Sequence, residues 1–266
     1  MRGHELRYDR AHGARIYDYI LGGKDHYPLD REAGDAALEG WPSLRTSMRA
    51  NRAFMHRVSR YLATERGVTQ FLDVGTGIPT SPNLHEVVQE VRPEARVVYV
   101  DNDPIVLAHA RALLTSTPDG ATAYIHADLR EPEEIIESEE LRETLDLSKP
   151  IGFTLIAMLH FIEDEDEAHR VVRQMLEILP SGSYFALSTA TADFAPEGMR
   201  NVQREYRARG EAMNLRKKSR VERFFDGLEL VEPGVVQVHK WHPDALREMR
   251  VADEDVAMYG GLARLL

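Results

Sequence analysis

The chain has 266 residues, no cysteine, 43% apolar residues and a formal net charge of -11. That length and apolar content suit one large globular domain, and the missing Cys excludes disulfides, thiolate catalysis and thiolate metal sites. The negative charge argues against nucleic acid, whose affinity for proteins comes largely from lysines and arginines that neutralise phosphates, and favours a small-molecule partner.

The first fifteen residues, MRGHELRYDRAHGAR, are charged and lack an apolar run of signal-peptide type, so a cytoplasmic location is expected. Residues 1–60 carry eleven Lys and Arg against eight Asp and Glu, in contrast to the acidic remainder. The asymmetry predicts an N-terminal helical cap docked on an acidic body. Within it, YDYILGGKDHY (17–27) contains an amphipathic helix stopped at Gly22-Gly23, and Tyr17, Tyr19, His26 and the Gly22-Gly23 turn are candidates for a lid over a ligand.

Apolar runs of strand length follow at QFLDV (70–74), RVVYVD (96–101), TAYIHA (122–127), FTLIAM (153–158) and SYFALST (183–189). Their near-continuous hydrophobicity suits strands covered on both faces. Helical patterns lie between them. Ser81 reads as an N-cap with Pro82 at the first helical position, before Leu84, Val87, Val88 and Val91. Asp103-Pro104 repeats the device before Val106, Leu107, Ala110, Leu113 and Leu114; further helices are expected over 132–145 and 164–179. FTLIAMLHFI (153–162) is about half the roughly 20 residues of a membrane helix, so it reads as a buried strand, and no membrane partner is expected. RKKSR (216–220) reads as a solvated helix face, and HKWH (239–242) has no acid placed to complete a metal site, so no metal is expected.

Strand and helix in alternation demand right-handed crossovers and an α/β, doubly wound, Rossmann-like sheet that is mostly parallel. Ligands of such sheets sit outside the carboxyl ends of the strands, near the switch point. The first strand ends at Asp73 and opens onto Gly75, Thr76 and Gly77. A dinucleotide loop would place a third glycine where Thr80 stands, and a short-chain reductase would carry Tyr with Lys four residues on; neither occurs, which disfavours a nicotinamide enzyme. The second strand ends at Asp101, twenty-four residues after Gly77, where a carboxylate can accept from both hydroxyls of a ribose. Asp128, ending the third, suits an exocyclic amine, and Ala157, Met158, Leu159 and His160 close the fourth. Three carboxylates without a nearby fixed cation fit a ligand with amines and a positive centre, and S-adenosyl-L-methionine has both.

FLDVGTGIP, VVYVDNDP, HADLREP and AMLHFIED resemble the successive motifs of class I S-adenosylmethionine-dependent methyltransferases. With ARIYDYILGGKDHYPLDREAGD, RANRAFMHRVSRYLA and FFDGLELVEPGVV added, nearly the whole chain from Arg15 to Trp241 is similar to one bacterial S-adenosyl methyltransferase family. Pro79 departs from the generic third glycine, though proline is usual there within this family, and Thr189 stands where many relatives carry histidine. The resemblance implies a seven-stranded sheet whose last two strands, at about 228–232 and 235–240, are antiparallel. It implies Asp73 with Gly75, Thr76 and Gly77 at the methionine end, Asp101 with Asn102 at the ribose and adenine, and Asp128 with Leu129 at the adenine edge. Ala157, Tyr17 and Gly23 complete the expected cofactor set. Should the acceptor be a hydroxyl, His160 is the first candidate to take its proton and His26 the second. The expected parse is a cap over 1–60, a methyltransferase domain over 61–242 with a substrate-side insertion at 193–223, and a C-terminal tail over 243–266. The reaction is methyl transfer to an unidentified small molecule; the alternative is a protein that binds the cofactor or its demethylated product without turnover.

Overall fold

Phe71 and Leu72 are neighbours in sequence yet lie in two different apolar cores, as do Val97 and Val98. Alternation at a period of two sends successive side chains of each central strand to opposite faces of the sheet. A computed structural model describes residues 10–113, 115–243 and 251–266. Residues 1–9 of the expected cap, Leu114 of the expected helix and 244–250 of the expected tail lie outside the described residues.

Among the described residues the strands are β1 (Gln70–Val74), β2 (Arg96–Asp101), β3 (Ala121–His126), β4 (Gly152–Ile156), β5 (Tyr184–Ala190), β6 (Glu229–Leu230), β7 (Val236–Gln237) and β8 (Met258–Arg264). The helices are α1 (Gly13–Leu21), α2 (Pro28–Gly40), α3 (Leu44–Glu65), α4 (Leu84–Gln89), α5 (Pro104–Leu113), α6 (Pro132–Ile136), α7 (Glu139–Thr144), α8 (Glu165–Glu177), α9 (Pro196–Ala208) and α10 (Lys218–Glu222). The sheet order is β3-β2-β1-β4-β5-β8-β6, with β7 also paired to β8. β1 to β5 are parallel and β8 is antiparallel to β5, β6 and β7. The order reverses between β1 and β4, which puts the switch-point crevice at their carboxyl ends.

The expected doubly wound α/β sheet is present, with eight strands where seven were expected. Pro233-Gly234 does not turn a hairpin. Glu229 pairs with Arg264 and Val236 with Gly260, so β6 and β7 are two pieces of one edge strand, interrupted by that turn and running along the same partner. Counted as one interrupted strand they restore seven. Their partner, β8, comes from the segment expected as a tail; it lies wholly inside the sheet, with Leu262 and Ala263 fully buried.

Two helix starts also differ from expectation. Ser81-Pro82 precedes α4 as a cis peptide, and the N-cap is Asn83, whose side chain accepts from the backbone of Glu86 while Glu86 reaches back to the Asn83 N–H. The single helix expected over 132–145 is two, because Ser138 accepts from Leu141 N–H and starts α7 afresh. The cap helices are continuous with the core: Phe54, Val58 and Leu62 of α3 are fully buried in the layer over β1, so the expected boundary after residue 60 falls inside a helix. α2 meets α9 where Asn201 Nδ2 donates to Gly40 O at 3.1 Å, so the cap and the 193–223 segment touch.

Deletion of residues 258–266 is expected to abolish soluble expression, since it strips the pairing partner from β5, β6 and β7 at once. Fractionation of expressed protein checks this; a soluble, cooperatively melting truncation would show the strand to be dispensable.

Candidate functional site

The loop after β1 is bonded to the end of β2. Gly75 N–H and Thr76 N–H both donate to Val100 O, at 2.8 and 3.2 Å, and Gly77 N–H donates to Asp101 Oδ2 at 2.8 Å. Gly75 has φ +81°, a conformation that favours glycine, and a Cβ there would force the Met158 side chain to shift.

Asp101 uses its other oxygen on the following turn, where Oδ1 accepts from Asp103 N–H at 2.9 Å. Asp103 Oδ1 accepts in turn from Ile105 N–H at 2.9 Å, which caps the first turn of α5. Asp103 Oδ2 faces the cap, with His12 Nδ1 at 3.3 Å and Arg15 Nε at 3.8 Å. Arg15 Nε also lies 3.3 Å from Asp30 Oδ2, and Asp30 accepts from the backbone of His12 and Tyr27. Burial raises the Asp101 carboxyl above its ordinary range, against the two N–H donors. A carboxylate offers about four acceptor positions, so Asp101 keeps capacity for ligand hydroxyls.

Asp73 is buried, and Thr154 Oγ1 donates to its Oδ1 at 2.5 Å. Burial pushes its carboxyl up to about 6; the Thr154 hydroxyl and Arg52 oppose the shift, and the Asp101 charge adds to it. Asp128 is held by Asn102 Nδ2 at 2.8 Å and by the backbone and guanidinium of Arg130, at 2.9 and 3.1 Å. Burial raises the Asp128 carboxyl, but these donors outweigh it and leave it below the usual range. Arg130 and Arg52 both line the cavity with these acids, which corrects the expectation of no nearby cation. Arg52 donates to Thr80 O, and to Pro82 O at 2.9 Å.

The end of β4 is strained and tied inward. Ala157 adopts φ +58°, a left-handed conformation costly for a residue with a Cβ. Its N–H donates to Ser188 Oγ at 3.0 Å, and Ser188 donates to Asn51 Oδ1 at 2.6 Å. Asn51 Nδ2 then donates to Tyr17 Oη at 3.3 Å, and Tyr17 donates to Met48 O at 3.0 Å. Sheet, α3 and α1 are thereby joined by one file of hydrogen bonds.

His160 stands in the short turn after β4. Ala190 N–H donates to its Nδ1 at 3.4 Å, so the neutral ring carries its proton on Nε2 and presents a donor, not a lone pair. Burial and the adjacent Arg216 charge lower its pKa to about 3. Arg216 is itself buried: Nη1 donates to Leu159 O at 2.6 Å, Nη2 to Ile162 O at 2.9 Å, and Nε pairs with Glu165 at 3.0 Å. It clamps the turn that carries His160, contrary to the solvated face expected of RKKSR.

One cavity gathers most of the expected set: Asp73, Gly75, Thr76, Gly77, Asp101 and Asn102 line it, as do Asp128, Leu129, Ala157, Tyr17 and His160. Gly23 and His26 are not among its lining residues. Gly23 N–H donates to Asp18 O and His26 Nε2 meets Gly23 O at 3.1 Å, so these two close the turn between α1 and α2. Sequence reasoning missed Arg52, Asn51 and Ser188. The helical period of α3 was a signal for Asn51 alone, since it puts Ser47, Asn51 and the buried Phe54 on its inner side.

The model of the S-adenosyl methyltransferase family matches residues 2–266. The chain belongs to that family. It is therefore assigned as an S-adenosylmethionine-dependent methyltransferase with S-adenosyl-L-methionine as cofactor. A DUF574 family protein of Streptomyces avermitilis is 60% identical, with a TM-score of 0.94 over 97% of this chain and 98% of that one. A candidate methyltransferase of Thermobifida fusca is 39% identical, with a TM-score of 0.89 over 98% of this chain and 97% of that one. The plantazolicin methyltransferase BpumL, in complex with SAH, shares the fold at 13% identity and a TM-score of 0.53 over 95% of each chain. No curated protein matches the chain significantly. Among the described residues no helix is long and apolar enough to cross a membrane.

The depressed pKa gives His160 a defined pH signature. A histidine near 3 when folded and 6.5 when unfolded must gain a proton on unfolding in acid. Its contribution is therefore fully present above 6.5 and is lost as pH falls towards 3. Ring 15N shifts of His160 are expected to report the Nε2–H tautomer unchanged down to pH 5; a titration midpoint near 6.5 would remove this assignment.

Proposed function

We propose that the chain transfers the methyl group of S-adenosyl-L-methionine to a small molecule held between the strand ends and the layer formed by α1, α3 and α9. The supporting observation is that the glycine loop, Asp73, Asp101 and Asp128 open onto a single cavity that these helices also line. The donor set fits the cofactor. Gly75 leaves the backbone bare, Asp73 can take the α-ammonium, Arg52 the carboxylate, Asp101 the ribose hydroxyls, and Asp128 with Leu129 the adenine edge. The net charge of -11 speaks against a nucleic-acid acceptor.

When bound, the cofactor supplies a methyl group already activated on a sulfonium. The protein's share is to hold donor and acceptor in line and exclude water, which can recover roughly 7 to 11 kcal/mol of barrier. His160 cannot act as the base that takes an acceptor proton while its Nδ1 faces Ala190 and its Nε2 carries hydrogen.

Two outcomes test the cofactor assignment. Asp101→Ala is expected to weaken S-adenosylhomocysteine binding at least about tenfold by calorimetry, each charged hydrogen bond being worth roughly 1.5 to 3 kcal/mol; unchanged affinity would contradict it. Asp73 links binding to protons. A carboxyl near 6 in the free protein is driven to its charged form by a bound ammonium, so binding releases a proton and affinity rises as pH increases from 5 to 7. Calorimetry in buffers of different ionisation enthalpy reads that proton, and Asp73→Asn should abolish the pH dependence.

A further inference from the structure

The cavity has a second wall, formed by α3, the turn after β4, α9 and the loop after α9, which the cofactor set does not use. Met48, Met55, Phe161, Met199, Val202 and Met213 make it apolar, and the unbranched methionines can adapt to an irregular ligand. Two polar side chains interrupt it. Tyr206 is 4% exposed and lines the cavity, yet its hydroxyl makes no hydrogen bond among the described residues. Its oxygen is not sealed in the packing but opens to the cavity, where a ligand can reach the unused hydroxyl. Burial, then the charge of Glu211 and the neighbouring Tyr17, push its pKa far up, which keeps the hydroxyl protonated. Glu211 is half-buried and lines the same wall, and its carboxylate makes no ion pair or hydrogen bond among the described residues. The other cavity acids are already engaged: Asp73 by Thr154, Asp101 by Gly77 and Asp103, Asp128 by Arg130.

We infer that Glu211 and Tyr206 are the recognition pair for an amine on a largely apolar acceptor, and that the methyl group goes to nitrogen. This rests on the methyltransferase reading above and adds the acceptor class. The charge balance favours it. An acceptor that enters as its ammonium first passes one proton by way of the Glu211 carboxylate to solvent; the freed nitrogen lone pair then forms the new N–C bond as the S–C bond breaks and leaves its electron pair on sulfur, so one positive charge leaves sulfur and arrives at nitrogen. An uncommitted carboxylate beside the acceptor meets that arriving charge in a site of low polarity, where it counts most. A hydroxyl acceptor would instead yield a neutral ether, leaving no arriving charge for the carboxylate to meet, and the histidine at the β4 end offers an N–H and not a base. The Tyr206 oxygen can accept from the amine while the apolar wall takes its carbon frame.

The test uses the full chain saturated with S-adenosylhomocysteine. 2-Phenylethylamine, tryptamine and hexylamine are titrated by calorimetry, each beside the alcohol of the same skeleton. At least one amine is expected to bind about tenfold tighter than its alcohol, and Glu211→Gln to remove that preference while leaving S-adenosylhomocysteine affinity intact, which also reports folding. Tyr206→Phe should weaken the same amine by a smaller factor. If S-adenosylhomocysteine binds but no amine exceeds its alcohol, or Glu211→Gln leaves the preference in place, the inference fails and the cofactor reading stands. If S-adenosylhomocysteine itself does not bind, both fall.

Discussion

The carboxylate of Asp101 holds two backbone N–H groups, one from the glycine loop and one from the first turn beyond β2. Neither segment has a strand or helix partner at that point, and a charged acceptor is roughly twice as strong as a neutral one. The loop that must approach a ligand is therefore shaped from the neighbouring strand. The same carboxylate is expected to meet the ribose, so the group that builds the loop also reads the ligand. Its pKa is raised in spite of those two donors, because a group accessible only from the cavity has lost most of its water.

From this hub the constraint passes outward to the cap. Asp103, fixed by Asp101, starts α5 and faces His12 and Arg15, while Arg15 also meets Asp30. Arg15, Asp30 and Asp103 are all nearly inaccessible. Such charges gain little over an apolar replacement, yet removing one partner costs about 3 to 5 kcal/mol because the others are left uncompensated. The arrangement specifies position more than stability. It seats α1 against the start of α5, so that Tyr17 comes to rest over the cavity.

The strand-end acids were legible because the first three apolar runs each carry a carboxylate at or beside their end, and the glycine loop because two glycines follow the first at once. β8 was not legible. MYGGLAR looks like a turn, since Gly260-Gly261 breaks any apolar pattern. In the fold those glycines let the rings of Phe54 and Phe225 pack onto bare backbone from opposite faces, contacts 206 and 36 residues apart in sequence that no local window contains. Arg216 was hidden for a related reason. A basic run normally marks a wetted face, but this guanidinium finds two carbonyls and a carboxylate more than fifty residues away. Asn83 was a different case, because its own capping signal, Glu three residues on, lay in plain view behind the stronger suggestion of Ser81-Pro82. Gly23 and His26 drew notice through composition alone, and composition does not distinguish a turn that closes on itself from one that faces a cavity.

The file of hydrogen bonds from Ala157 to Met48 has a direction. Every donor points the same way, from sheet to cap: amide to Ser188, Ser188 to Asn51, Asn51 to Tyr17, Tyr17 to a carbonyl. Because its two ends are backbone groups of opposite character, a one-way arrow is built in, and the hydroxyl rotors and the Asn51 amide have only one compatible setting. An aspartate at 51 would present acceptors on both sides and face the Tyr17 oxygen with nothing to give. The rotor would have to swing round, leaving the Met48 carbonyl dry and the arrow with two heads.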